Sequence, residues 1–194
     1  MRRPLLGSLF ASFVFTAFSG GCSSNTPAAA NAYVQSQLTA SDDLGSEACG
    51  ITANTWVEVG TSDTSADDGS TATGYTVSVS CSVTANSDGS FQVNALASDV
   101  GFGSVGIVGK FTTSGTQMGI HATFQRGDTG TFSAGNCTVD YTESDMGVAA
   151  GRVWGVMTCP DVVDNTTSEI GPDGGDVNRT CAATATFKFQ NCGQ

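Results

Sequence analysis

From Tyr75 to Val83 the chain alternates without a break. Tyr75, Val77, Val79, Cys81 and Val83 fall on one face, and Thr76, Ser78, Ser80 and Ser82 fall on the other. A period of two sets one face on a core and the other in water, as in an antiparallel strand. Similar runs recur at 56–59, 91–95, 105–111, 118–124, 137–141, 152–159 and 181–189. Between them stand Asp88-Gly89, Ser114-Gly115 and Gly127-Asp128, where a positive φ is cheap. About eight short strands with almost no helical period predict an all-β domain, sandwich or barrel. We expect the antiparallel β-sandwich, over 47–194. No repeat of fixed period is present, which excludes a propeller or solenoid.

The strands are heavy in Thr, Ser and Ala, so the expected core is thin in large side chains. Cysteines offset this. Cys49, Cys81, Cys137, Cys159, Cys181 and Cys192 are an even set, and in an exported chain they read as three disulfides. If 181–190 is one strand, Cys181 and Cys192 lie roughly 36 Å apart at ~3.3 Å per residue, too far to pair. Strands 152–159 and 181–190 look like antiparallel neighbours, so Cys159–Cys181 would close the base of the loop between them. For the remaining four we expect Cys49–Cys81 and Cys137–Cys192. A simple meander puts the last two at opposite ends of the sheet, so this pairing needs an exchange of strand order.

The N-terminus reads as an address. Met1-Arg2-Arg3-Pro4 is positive, the run from Leu5 to Phe18 carries no charge, and Ser19, Gly20 and Gly21 precede Cys22. This is the layout of a secretory signal peptide. The apolar run spans only about 21 Å as a helix, short of a hydrocarbon core. The junction Gly20-Gly21-Cys22 resembles a bacterial lipobox, with Ser19 where Leu is usual. The resemblance implies cleavage after residue 21, a diacylglyceryl group on the Cys22 thiol and a further acyl chain, of the palmitate class, on its amine. Several buried chains hold a soluble body to a membrane stably. Ser23 and Ser24, with no Asp, resemble signals for the outer membrane. Cysteine arithmetic agrees, because Cys22 is the odd thiol beside an even set. The expected organisation is a signal peptide at 1–21, a lipid-anchored tether at 22–46 with a short Ala-rich helix over 28–39, and the domain at 47–194.

The chain of 194 residues carries 7 basic and 18 acidic groups, a net charge of −11, and one histidine. Loss of residues 1–21 removes Arg2 and Arg3 and makes it more acidic still. That balance excludes nucleic acid as a partner, since phosphates demand clustered Lys and Arg. Gly101-Phe102-Gly103-Ser104-Val105-Gly106 spells G-x-G-x-x-G, but strand, not helix, follows it, so it reads as a glycine-rich strand. His121 falls on the polar face beside Thr123, opposite Met118, Ile120 and Phe124. Ser104 lacks the glycine two residues earlier that a nucleophile elbow needs. Trp154, beside Val153, Val156 and Met157, reads as a core residue before it reads as a sugar-stacking platform. Acidic loops remain. Asp161, Asp164, Asp173 and Asp176, with Asn165, Glu169 and Asn178, form one cluster able to offer oxygen ligands to Ca²⁺; Asp63, Asp67 and Asp68 form another. Neither has EF-hand spacing.

Gly151 to Pro160, GRVWGVMTCP, and Thr180 to Cys192, TCAATATFKFQNC, resemble the C-terminal part of small lipoproteins of the myxobacterial type. The resemblance implies a lipoprotein and supplies no catalytic residue. We therefore expect an exported protein, lipid-anchored to the cell envelope at the outer membrane. Its role would be non-enzymatic, in binding or structure, meeting a cell-surface glycan or protein. The alternative is a surface carbohydrate-active hydrolase or carbohydrate-binding module.

Overall fold

The alternating stretches become strands, and nearly all of them join one sheet. The computed structural model describes residues 27–40, 49, 51, 54–72, 74–165, 169–170, 176–177 and 179–194. Its strands are β1 (Asn31–Ala40), β2 (Asn54–Val59), β3 (Ala66–Asp67), β4 (Thr71–Ala72), β5 (Tyr75–Ala85), β6 (Phe91–Asp99) and β7 (Gly103–Phe111). They continue with β8 (Gln117–Arg126), β9 (Gly130–Asp140), β10 (Gly147–Ala149), β11 (Arg152–Asp164), β12 (Glu169–Ile170), β13 (Asp176–Val177) and β14 (Thr180–Gln190). Twelve of them form one antiparallel sheet in the order β2-β1-β14-β11-β9-β8-β7-β6-β5-β4, with β10 on β11 and β3 on β1. The small hairpin β12-β13 stands apart in the β11–β14 connection.

The path is an up-and-down meander from β5 to β14, after which the N-terminal β1 and β2 continue the order around. The sheet curls until its two edges nearly meet, and the seam is bridged rather than left bare. Ala66 and Asp67 pair with β1, while Gly69 N donates to Val77 O and Val77 N to Ser70 O. The Asp68 carboxylate accepts from Val79 N at 2.8 Å. Farther along β5, Gly193 N donates to Cys81 O and Val83 N to Gly193 O. The edge amides of Val77, Val79 and Val83 are thus satisfied by loop and tail, which blunts this edge as a template for aggregation.

Side chains sort by the period of two. Val77, Val79 and Val83 of β5 point inward and are buried, while Thr76, Ser78, Ser80 and Thr84 are exposed. The same alternation fills the interior with Leu38, Trp56, Ile107, Phe111, Ile120, Phe124, Phe132, Met157, Phe187 and Phe189. Each buried aromatic or large aliphatic side chain contributes roughly 1.5–3 kcal/mol. An apolar inside and a Ser/Thr outside are the inverse of a lipid-embedded barrel.

Three expectations are corrected here. The body is nearly barrel-shaped, not a sandwich, and its sheet has twelve strands, not about eight. Bulges are the physical reason, because each bends and coils the sheet. In β2, Trp56 and Val57 both lie opposite Ser36, and both are buried. In β8, Met118 and Gly119 lie in a register break, with Gly119 at φ 68°, so Met118 turns outward at 77% exposure instead of joining Ile120 and Phe124. In β11, Pro160 and Asp161 form a third bulge. Second, the stretch expected as helix and tether contains β1, an interior strand paired with β14 on one side and β2 on the other. The domain therefore begins by Asn31, well before residue 47.

Third, the disulfides are Cys49–Cys181, Cys81–Cys192 and Cys137–Cys159. The six expected cysteines do pair, and Cys181 and Cys192 indeed do not pair with each other. Cys159 and Cys181 do sit on neighbouring strands, but the register from Val153 and Phe189 onward sets Cys159 opposite Ala183, and beyond the Pro160-Asp161 bulge Cys181 falls opposite Val162. Cys159 instead meets Cys137 across the β9–β11 ladder, where Thr158 faces Thr138. Cys137–Cys192 would have needed an exchange of strands, and the meander has none. Cys49 lies in the β1–β2 connection, bonded at the start of β14, whereas Cys81 is bonded to Cys192 beyond the other end of that strand. Three disulfides point to an oxidising, exported environment.

Candidate binding face at one end of the barrel

Register defines two ends. One carries Asn31, Gln190, Phe91 and Phe111; the other carries Ala40, Thr180, Asp99, Gly103, Arg126 and Gly130. At the second end a continuous file of side chains crosses the barrel mouth. Tyr75 stacks on Phe102 with centroids 5.2 Å apart, and the Arg126 guanidinium lies 4.7 Å from the Phe102 ring and 5.2 Å from the Trp56 ring. Trp56 meets Phe132 edge to face at 5.6 Å, and the Arg179 guanidinium covers Phe132 at 5.4 Å. Arg179 then donates through Nε and Nη2 to the buried Asp164 carboxylate, and through Nη2 to Thr129 O. Cations over aromatic faces hold the mouth together, and the enclosed ion pair fixes its geometry because either charge left alone there would be costly. The surface pair of Arg126 with Asp128, at 2.8 Å, is screened by water and adds little.

The file is assembled by strand ends. Arg126 ends β8, Phe102 sits in the β6–β7 turn, Tyr75 begins β5, and Arg179 precedes β14. Gly103 lets β2 come close. A Cβ there would lie 2.6 Å from Gln125 O and 2.7 Å from Val57 Cγ2. Beside the file, on the outside of the sheet, lies an open groove of about 390 Å³. Leu96, Ser98, Val100, Phe102, Ser104 and Gln125 line it, with Asp99 and the glycines at 101, 103 and 127. Ser98, Ser104 and Gln125 are cross-strand partners, so their side chains form one polar row.

The structure places the residues singled out in the sequence as follows. Gly101, Gly103 and Gly106 run from a turn into β7 with no helix after them, and Ser104 faces the groove. His121 is exposed on β8, its ring lying against Gly135 of β9. Trp154 stands on the outer face rather than in the core, with Lys188 Nζ 4.5 Å from its ring centroid. Of the proposed calcium ligands, Asp164 is turned inward and held by Arg179, whereas Asp161 sits in the β11 bulge, so the two do not share a face. Asp176 belongs to β13, with its side chain outside the described residues, and Asp173 also lies outside them. Cys22 and Asn178 lie outside them too. Asp67 and Asp68 are seam residues, the second committed to Val79 N. Among the described residues no group of three or more His, Cys, Asp or Glu side chains is gathered as for a metal ion.

Sequence reasoning missed Tyr75, Phe102, Gln125, Arg126 and Arg179. The available signal was positional, since two of the few arginines stand at ends of alternating runs. Only the meander reveals that those ends meet. Comparison of the chain with protein-family models, with curated proteins and with solved structures finds no match.

Proposed function

We propose that this chain is a lipid-anchored protein of the cell envelope, probing its surroundings with a non-enzymatic, disulfide-stapled barrel. One observation carries the reading: the six cysteines of the barrel satisfy one another, so Cys22 is the single cysteine outside the three crosslinks. It stands at the Gly20-Gly21-Cys22 junction, where lipidation is the chemistry expected of a lipobox. The body beyond it fits a tethered role. Asn191 Nδ2 donates to Ala29 O at 3.0 Å and Asp68 N to Ala30 O at 2.9 Å, so the chain is already fastened to the barrel two residues before β1. The span from Cys22 to Asn31 reaches at most about 30 Å when extended. Anchoring there keeps the barrel close to the membrane surface.

The binding role, rather than catalysis, is favoured by what the carboxylates do. Asp88 binds Lys110, Asp128 binds Arg126 and Asp164 binds Arg179. A glycosidase needs two carboxyl groups facing each other across a cleft, about 5–10 Å apart. These three of the eighteen acidic groups are spent on ion pairs and serve structure. The test is the protein in its native membranes. Cys22→Ser should move it from the membrane fraction to the soluble fraction. The native species should start at Cys22, gain the mass of an acylated glyceryl group and lack six thiol hydrogens. An unlipidated wild-type protein in the soluble fraction would overturn the anchoring.

A further inference from the structure

We propose that the groove between the β6–β7 turn and β8 binds an uncharged oligosaccharide. The lining is mixed in a particular way. Leu96 and Phe102 offer apolar surface, with Leu96 43% and neighbouring Val100 55% exposed, unusual for side chains of that size on a Ser/Thr surface. Across the floor runs the polar row Ser98, Ser104 and Gln125, two hydroxyls and an amide that donate and accept alike. A pyranose has the same division, apolar C–H faces and a rim of hydroxyls. Tyr75, 40% exposed and stacked on Phe102, extends the apolar side with an aromatic face and a phenol.

Charge narrows the class. No lysine or arginine lines the groove, and its one carboxylate, on Asp99, is only 3% exposed. The nearest charges, Arg126 over the Phe102 ring and Asp128, are paired with each other at the rim, so neither a phosphate nor a basic peptide is favoured there. The volume falls within the ordinary range for small-ligand sites, roughly 300–1,000 Å³. Glycines at 101 and 127 keep side chains out of the opening.

The mature, disulfide-intact protein is titrated with cellohexaose, xylohexaose, mannohexaose and the N-acetylglucosamine hexamer, each to low-millimolar concentration, by calorimetry and amide chemical shifts. At least one should bind and shift amides of residues 98–104 and 125–127. Phe102→Ala should weaken it about tenfold or more. Gly127→Leu tests the groove without disturbing the fold, because a Cβ at 127 meets nothing within 4 Å and its φ is not in the left-handed region. It should abolish binding while the melting curve stays put. Met118→Ala, on the outer face but outside the groove, should bind as wild type. Binding by none of the four, or binding indifferent to Phe102→Ala and Gly127→Leu, overturns the proposal. So does a wild-type dimer that those variants dissociate, which assigns the groove to a second copy of the chain. A membrane-bound wild type that binds no glycan overturns this inference alone. A glycan-binding barrel whose Cys22 carries no lipid overturns the anchoring alone.

Discussion

Cys192 is bonded to Cys81 across the barrel seam, their Cα atoms 4.9 Å apart and 111 residues apart in sequence. The bond ties the last turn of the chain to the edge of β5, the strand at which the meander starts. Cys81 is partly exposed, whereas Cys49, Cys137, Cys159 and Cys181 are fully buried. Under limited native reduction with alkylation, peptides containing Cys81 and Cys192 should be labelled first, with the other two crosslinks intact. A Cys81→Ser/Cys192→Ser variant should lose about 2–5 kcal/mol, because a long loop of the unfolded chain is released. A urea melt unchanged from wild type would show that hydrogen bonds to Gly193 close the seam unaided.

Arg179 and Asp164 make the second prediction. The Asp164 side chain is fully enclosed and Arg179 largely so. Removing the cation strands a charge out of water, so Arg179→Met should cost about 3–5 kcal/mol. The double variant Asp164→Asn/Arg179→Met removes both charges and should recover most of that loss. Additive losses in the double-mutant cycle would mean that the two do not act as a pair. Phe132, beneath Arg179, should report the change through Trp56 fluorescence, since the two rings are in contact.

How much of this could be read from the sequence is clear at individual residues. Val77, Val79 and Val83 announce their strand because burial on one side leaves a period of two. Phe187 and Phe189 do the same on β14. Asp88-Gly89 and Ser114-Gly115 form turns with glycine φ of 81° and 76°, whereas after Gly127-Asp128 the positive φ falls on Gly130. β1 was hidden because Ala28, Ala29, Ala30 and Ala32 give a helical propensity that pairing on both sides overrides. The barrel was hidden because closure depends on bulges at Trp56, Met118 and Pro160, and a bulge leaves no mark beyond one break in alternation. The groove was hidden for a related reason. Ser98, Ser104 and Gln125 are scattered in sequence, and only register makes them a row.

Alkaline pH supplies the third prediction. Burial pushes the Tyr141 phenol up to about 12, and it donates to Thr112 O at 3.0 Å. Burial, with the negative charge of Glu58, also raises Tyr33. A group with a raised folded pKa holds its proton more tightly when folded. Its contribution to stability is therefore complete below about pH 10, the unfolded value, and is lost as pH climbs toward about 12. Stability should accordingly fall across that interval. Phenolate absorbance should show a late-ionising fraction that Tyr141→Phe reduces. Ionisation of all three tyrosines together near pH 10 in the folded protein would sink this account.

The fourth prediction returns to the bulge in β2. Ser36 is 1% exposed, and its Oγ accepts from Val57 N at 3.1 Å while donating to Val57 O at 3.2 Å. Those bonds replace the ladder partners that the extra residue displaces, and so hold Trp56 and Val57 both inside. Ser36→Ala leaves a buried amide and carbonyl without that partner and should cost about 1–3 kcal/mol. The damage should be local before it is global, with the Val57 amide exchanging faster than its neighbours on β1. Trp56 would then shift beneath Arg126, and its emission should change at denaturant concentrations where the barrel remains folded. Because Arg126 also covers Phe102, a loosened Trp56 should reach the groove as weaker oligosaccharide binding. Unchanged Val57 exchange and unchanged emission would show that packing against Gly103, not Ser36, holds the bulge.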